Sequence, residues 1–269
     1  MSEHAMHHPL VKPVVLVDID DTLLQTKRKM VDELAQEPFR VGALDRSLAP
    51  RSFLNEEQAM LVDWLLTHAD VIPVTARGTD EYARVQISFN SWVVTTHGAV
   101  VLNPAGEVDI EWQQHIEAEL APYRQRLLDM QEQFTALMAE RGIAAWARLN
   151  YEYDGVPIYL VMKHTDSTKL HELNAIGDEI ERNFGTEGFY IHRNSNNIAW
   201  LPHCIEKGLA TKYLLAKLRA EHGLFPTIGL GDSITDFSFL KLCSWFGMPK
   251  QSQFTTAIKK QIFGEKFND

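Results

Sequence analysis

The sequence has little cysteine, few basic residues and no long apolar run. Two cysteines, Cys204 and Cys243, occur in 269 residues. They are too few for a disulfide framework and fit thiols in a reducing cytoplasm. No apolar run approaches the roughly 20 residues that cross a bilayer, and the N-terminal segment lacks an apolar signal core. The net charge of −10 argues against binding to nucleic acid. We therefore expect a cytoplasmic protein with no membrane or nucleic-acid partner.

Two acidic strings, one near each end of the chain, are the most informative feature present. Asp18-Ile19-Asp20-Asp21-Thr22 follows an apolar run at 14–17, and Gly231-Asp232-Ser233-Ile234-Thr235-Asp236 follows another at 228–230. Each apolar run predicts a buried strand, and the ends of parallel strands meet at the sheet edge where open α/β folds bind ligands. Carboxylates gathered there would repel one another. A Mg2+ ion, which typically takes one or two carboxylates together with substrate phosphate, would offset that repulsion. The strings predict Mg2+-dependent chemistry on a phosphate.

The order of the motifs resembles that of haloacid dehalogenase (HAD) superfamily hydrolases. That superfamily has Asp-x-Asp-x-Thr, then a strand-ending Thr or Ser, then a Lys, then Gly-Asp-x-x-x-Asp. The corresponding residues here, in the same order, are Asp18/Asp20/Thr22, Thr75, Lys207 and Asp232/Asp236. Two positions depart from the usual pattern, because Thr235 and His97 both stand where Asn is common.

The resemblance implies a phosphatase that acts through an aspartyl-phosphate. Asp18 would be the nucleophile, and Asp20 would protonate the leaving alcohol and then activate water. Thr75 would hydrogen-bond a phosphoryl oxygen, and Lys207 would stabilise the transferring group. The resemblance also implies Mg2+ as cofactor, held by the Asp18 side chain, the Asp20 backbone carbonyl, Asp232 and Asp236.

The pattern of elements predicts a core domain interrupted by a second domain. Residues 1–100 and 202–269 alternate strands and helices, as in an α/β, Rossmann-like, doubly wound parallel sheet. Residues 101–201 have an αββαββ pattern, which predicts a compact α+β domain, and a stripe of apolar residues from Ile116 to Leu137 predicts one long helix in it. By resemblance this insertion is a C2-type cap of subfamily IIB, as in sucrose-phosphate phosphatase and mannosyl-3-phosphoglycerate phosphatase.

Two local features of the core are also predicted. Asn55 and Gln58 have the spacing of a capping box and begin a helix that continues to His68. The segment between Lys27 and Leu54 is longer than a strand-to-helix crossover needs. It is either a flap over the site or an irregular surface connection.

The substrate is expected to be a small phosphorylated metabolite such as a sugar phosphate. Residues that could contact it are Thr75, Arg77, His97, Lys163, His192, Arg193 and Asn194. Arg77 could instead contact the loop carboxylates or cap a helix, and the cap residues could be structural and solvated.

Two other functions fit the same motifs. A phosphomutase of the phosphomannomutase type would use the same aspartyl-phosphate, but its cap should carry a dense basic cluster, and none is visible. A non-catalytic sensor of a phosphorylated ligand would have no need of both Asp18 and Asp20. The phosphatase is therefore the favoured hypothesis.

Overall fold

The computed structural model describes residues 12–193 and 197–263. The proposed cap residue Asn194 lies outside them. The chain divides into two units, a core unit formed by residues 12–108 and 207–263 and a second unit formed by residues 109–206, for which we keep the name cap from the sequence prediction. These boundaries lie later in the sequence than 100/101 and 201/202. One reason is that residues 100–102 pair with the core strand at 93–95 and extend it as a hairpin.

The strands are β1 (Val14–Val17), β2 (Gln25–Thr26), β3 (Arg40–Leu44), β4 (Pro50–Leu54), β5 (Asp70–Pro73), β6 (Val93–Thr95), β7 (Val100–Leu102), β8 (Ala145–Glu152), β9 (Val156–His164), β10 (Phe189–Arg193), β11 (Asn197–Pro202), β12 (Thr227–Leu230) and β13 (Trp245–Gly247). The α-helices are α1 (Glu56–His68), α2 (Thr79–Tyr82), α3 (Ile110–Leu120), α4 (Arg124–Arg141), α5 (Leu170–Phe184), α6 (Lys207–His222), α7 (Phe237–Leu240) and α8 (Gln253–Phe263).

The core contains a parallel sheet with the strand order β13-β12-β1-β5. Val17 pairs with Leu230 of β12 on one side and with Pro73 of β5 on the other, so these three strands end at the same level. All four residues of β1 are buried, as expected for a central strand covered on both faces. The α/β parallel sheet predicted from the sequence is confirmed.

The segment between Lys27 and Leu54 is ordered by its own strands. β2, β4 and β3 form a small antiparallel sheet, which excludes an irregular connection. The predicted capping box at the start of α1 is present, because Gln58 N donates to Asn55 Oδ1 and Asn55 N donates to Gln58 Oε1. Gln58 Nε2 also donates to Gln25 Oε1 of β2, which ties the small sheet to the helix.

The cap has an antiparallel sheet in the order β10-β11-β9-β8. Its hydrophobic core contains residues of α4 and α5 together with alternate strand residues, among them Leu160, Met162 and Trp200. The prediction of one long helix from Ile116 to Leu137 is wrong. α3 ends at Leu120 and a 3₁₀ turn, Ala121–Tyr123, precedes α4. Pro122 lies in that turn, where a proline lacks the N–H that a continuous helix needs.

Two of the sequence-level exclusions can be compared with the structure. No helix within the described ranges is long and apolar enough to cross a membrane. Cys204 and Cys243 are both free and partly buried. Burial raises the pKa of the Cys204 thiol to about 11 and that of Cys243 to about 12, so neither is a ready thiolate at neutral pH.

Candidate active site

Three strands of the core sheet place the candidate residues at one edge. Asp18 directly follows β1, Asp232 lies two residues beyond β12, and Thr75 lies two residues beyond β5. Asp18 is still tied to the neighbouring strand, since its N–H donates to Leu230 O at 2.9 Å. All three residues therefore lie at the carboxyl edge of the sheet, where the sequence predicted a ligand site.

A buried lysine joins two of the acidic residues. Lys207 Nζ lies 2.6 Å from Asp18 Oδ1 and 2.7 Å from Asp236 Oδ1, and all three side chains are nearly inaccessible to solvent. Lys207 is the first residue of α6, and Gly208 allows that helix end to approach α7. A Cβ at Gly208 would lie 2.6 Å from the carbonyl oxygen of Ser238. The motif lysine therefore needs the glycine that follows it.

Asp232 and Thr22 complete the acidic cluster. Thr22 Oγ1 lies 3.2 Å from Asp232 Oδ1 and 3.4 Å from Asp18 Oδ2, so the hydroxyl sits between the two carboxylates. Ligand atoms of Asp18, Asp232 and Asp236 all lie within 4.8 Å of one another. Thr22 holds the spacing of this cluster.

The cluster carries more negative charge than Lys207 alone balances. Burial, together with repulsion from Asp236 and Asp20, raises the pKa of Asp18 to about 8, although Lys207 opposes the shift. Burial and the charges of Asp236 and Asp21 raise the pKa of Asp232 to about 6. Burial lowers the pKa of Lys207, but the carboxylates of Asp18 and Asp236 outweigh that effect and raise it, so the ammonium stays charged.

This donor set fits a hard divalent cation. Three buried carboxylates have ligand oxygens within a few ångströms of one another, and oxygen is the ligand that Mg2+ prefers. Asp236 is already bonded through both oxygens, to Lys207 on one side and to Ser233 on the other. Asp18 is engaged in the same way, through Oδ1 by Lys207 and through Oδ2 by Thr22, so these bonds do not rank the carboxylates as metal ligands.

Ser233 is a site residue that the sequence analysis missed. Its N–H and its Oγ–H both reach Asp236 Oδ2, at 2.9 Å and 2.8 Å. Thr235, at a position where the resemblance led us to expect Asn, lies with its Oγ1 2.8 Å from Ser233 Oγ. The Ser-x-x-Asp spacing of a capping box at 233–236 was the available signal.

Thr75 and Arg77 belong to one braced loop after β5. The Arg77 N–H donates to Thr75 Oγ1 at 3.1 Å. Two N–H groups of the following turn donate to the same loop, Thr96 N to Arg77 O at 2.7 Å and His97 N to Thr75 O at 3.1 Å. Thr96 and His97 hold left-handed backbone angles, with φ of 52° and 57°. His97 thus has a structural role through its backbone.

Arg77 contacts a loop carboxylate, which was one of the three roles considered for it. Its Nε lies 2.7 Å from Asp20 Oδ2 and its Nη2 lies 2.8 Å from Asp20 Oδ1. This is a two-point fork, the strongest geometry for an arginine–carboxylate pair. The Asp20 side chain therefore points to Arg77 and stands apart from the three-carboxylate cluster.

The cap candidates lie on two faces of the cap sheet. Lys163 shares a face with His192, because the alternate residues of β9 and β10 enter the cap core on the other side. Arg193 lies on the helix side, where its guanidinium bonds Asn174, Asp178 and Glu181 of α5. These bonds give Arg193 a structural role in the cap.

The fold resembles those of solved phosphatase structures, among them the C-terminal domain of a trehalose-6-phosphate phosphatase. No protein-family model and no curated protein sequence matches the chain. The likeness is therefore one of structure, at sequence identities between 11% and 16% for the neighbours compared.

Three solved structures illustrate the likeness. The C-terminal domain of trehalose-6-phosphate phosphatase from C. albicans has a TM-score of 0.56 at 14% identity, over 96% of this chain and 78% of that one. A protein of Thermoplasma acidophilum has a TM-score of 0.51 at 13% identity, over 92% and 89%. The sucrose-phosphatase of Synechocystis, solved with sucrose and phosphate, has a TM-score of 0.48 at 14% identity, over 95% and 89%.

Proposed function

We propose that the protein is a Mg2+-dependent phosphohydrolase that removes phosphate from a small phosphate ester, such as a sugar phosphate. The observation that carries the proposal is the buried contact of Lys207 with Asp18 and Asp236 beside Asp232, at the carboxyl edge of the sheet. Such a cluster is costly to bury, and phosphoryl transfer needs a nucleophile and positive charge in one place.

The first half of the reaction uses Asp18 as nucleophile. One Asp18 carboxylate oxygen attacks phosphorus, the bond from phosphorus to the ester oxygen breaks, and the leaving alcohol takes a proton from Asp20. Lys207 Nζ, 2.6 Å from Asp18 Oδ1, places positive charge beside the transferring group. The Thr75 hydroxyl accepts from Arg77 N, which leaves its own proton for a phosphoryl oxygen.

The second half restores the enzyme. Asp20 takes a proton from water, the water oxygen attacks phosphorus, and the bond between Asp18 and phosphorus breaks to release phosphate. Asp18 and Asp232, together with the Asp20 backbone carbonyl, would hold Mg2+, with Asp236 fixing Lys207 nearby. When bound, Mg2+ supplies positive charge to phosphate oxygens that would otherwise face a cluster of carboxylates.

The cap is proposed to recognise the part of the substrate beyond its phosphate. Lys163 and His192 share one sheet face with Arg148, whose guanidinium lies over the Trp146 ring at 5.7 Å. A face with basic and aromatic side chains suits a hydroxylated or anionic group. Arg148 was not predicted from the sequence.

A cytoplasmic location of the protein also stays a prediction.

The test is Mg2+-dependent phosphate release from sugar phosphates, nucleotides and p-nitrophenyl phosphate. We expect Asp18→Asn to abolish release. A matched control is Asp21→Asn, which changes the adjacent exposed carboxylate paired with Lys29 and should retain most activity. Mass spectrometry of acid-quenched wild type should find one phosphoryl group on the peptide that contains Asp18.

Three outcomes would contradict this proposal. Release that survives Asp18→Asn would exclude the nucleophile. Conversion of a sugar phosphate to its isomer without release would identify a phosphomutase. Binding of phosphate esters by folded, Mg2+-loaded protein without turnover of any ester would identify a sensor.

A further inference from the structure

Arg77 is more deeply buried than the carboxylate that it binds. The Arg77 side chain is 14% exposed and that of Asp20 is 49% exposed. The Arg77 backbone is bonded on both sides, by Thr75 Oγ1 and by Thr96 N. Within the described residues, Arg77 is the hydrogen-bond partner that the structure gives to the Asp20 carboxylate. Arg77 is thus the more buried partner of the pair, with its backbone bonded on both sides, and it can set the position of the Asp20 carboxylate.

We propose that Arg77 is the positioning residue for Asp20, holding its carboxyl group in the direction that proton transfer to and from the phosphate ester requires. The inference rests on the proposed phosphohydrolase function. The fork takes one lone-pair site on each carboxylate oxygen, so it fixes the rotation of the group as well as its place. A second site on each oxygen faces away from the fork, and one of these carries the proton that Asp20 transfers. A lysine, with a single ammonium, would supply charge without that orientation.

The loop connects this orientation to phosphate binding. Thr75, proposed to bind a phosphoryl oxygen, and Arg77, which binds Asp20, are joined by a hydrogen bond and braced by the same turn at Thr96 and His97. The phosphate and the proton donor are thereby aligned by one rigid segment. Positioning of this kind matters because small displacements of catalytic groups are costly in rate.

The consequence depends on the leaving group. An alkyl phosphate needs a proton on its leaving oxygen, whereas p-nitrophenolate departs without one. In Arg77→Ala we expect kcat/KM for the best alkyl phosphate to fall on the order of 10²-fold, at the lower end of the usual contribution of general acid–base catalysis. For p-nitrophenyl phosphate we expect a change of less than about threefold, because kcat/KM then reports the first half-reaction alone.

Three further variants make the test specific. Asp20→Asn should reproduce the selective loss, and the double variant should lose little more, since both changes remove one function. Added guanidinium ion should restore alkyl phosphate hydrolysis in Arg77→Ala, and Arg77→Lys should recover less. Arg40→Ala removes another two-point pair, with Asp63 on the surface, and should alter neither substrate.

Equal losses for both esters in Arg77→Ala, with an unchanged unfolding temperature, would overturn the proposal and make Arg77 a direct phosphate ligand. Additive losses in the double variant would also overturn it. If wild type hydrolyses neither ester, the phosphohydrolase function itself fails, and the role of Arg77 fails with it. The wild-type rate therefore separates the two failures.

Discussion

At the residue scale, the buried carboxyl groups of the acidic cluster make the stability of the metal-free protein depend on pH. Asp18 and Asp232 are buried beside Asp236, and their pKa values are raised to about 8 and about 6. A carboxyl group whose pKa is higher in the folded state stabilises the fold at low pH, below its unfolded pKa near 4. That contribution is lost as the pH rises through the folded pKa. Without a metal, the ionised carboxylates of the site therefore lower the free energy of unfolding near neutral pH.

Mg2+ should reverse this pH dependence. Protons and the cation compete for Asp232, so metal binding needs the deprotonated carboxylate. We expect the rise in unfolding temperature on adding Mg2+ to be small at pH 5 and to grow between pH 5 and pH 8, measured by calorimetry at fixed Mg2+ concentration. Asp232→Asn should reduce the rise at every pH. A rise that is equal at pH 5 and pH 8 would show that the cation binds elsewhere.

Ser233 should matter more for stability than its neighbour Thr235. Ser233→Ala removes a hydrogen bond to the fully buried Asp236, and bonds to charged groups contribute about 1.5–3 kcal/mol. Thr235→Val removes a hydroxyl that contacts Ser233 Oγ at a partly exposed position. Urea unfolding should give a lower free energy of unfolding for Ser233→Ala than for Thr235→Val, whereas equal losses would show that the serine does not hold Asp236.

At the scale of secondary-structure elements, the approach of α6 to α7 sets the position of Lys207. In Gly208→Ala the new Cβ would meet the Ser238 carbonyl oxygen at 2.6 Å, so the two helices must move apart. We expect a loss of about 1–3 kcal/mol in stability, as for other overpacked sites, and a fall in activity because Lys207 is displaced.

Gly247→Ala is the matched control for this substitution. There a Cβ would lie 3.6 Å from Leu230 Cδ2, which is an ordinary contact. Thermal unfolding and phosphate release should both remain near wild type in the control. If Gly208→Ala behaves in the same way, the close approach of the helices does not position the lysine.

The sequence predicted the elements that depend on local pattern. The apolar runs before Asp18 and Asp232 form parallel strands as predicted, β1 fully buried and β12 partly buried, and the Asn55 capping box begins α1 as expected. The prediction of a single long cap helix was wrong because the apolar stripe continues on both sides of Pro122. The spacing of apolar residues does not show that the backbone is interrupted there. The convergence of Asp18 and Asp232 at one sheet edge followed from the two strands, but the individual side-chain contacts did not. Asp18 and Lys207 are 189 residues apart, and the fork between Arg77 and Asp20 depends on how two loops pack.

At the scale of the whole molecule, each unit has its own hydrophobic core. Phe134 and Trp200 are fully buried in the cap, with ring centroids 4.9 Å apart, and the core unit buries β1 and α1 residues in a separate cluster. The proposed metal ligands all lie in the core unit. Domains that carry their own cores can unfold separately, and then a single unfolding temperature does not describe the protein.

This organisation predicts two transitions that respond to different changes. Phe134→Ala should destabilise the cap by about 3–5 kcal/mol and lower one transition. Mg2+ should raise the other, because it binds only the folded core unit, by about 2.7 kcal/mol at a hundred times its dissociation constant. Calorimetry of wild type and Phe134→Ala, each with and without Mg2+, separates these effects. One shared transition that moves in both cases would mean that the units unfold cooperatively, because stabilisation of either would then be transmitted to the other.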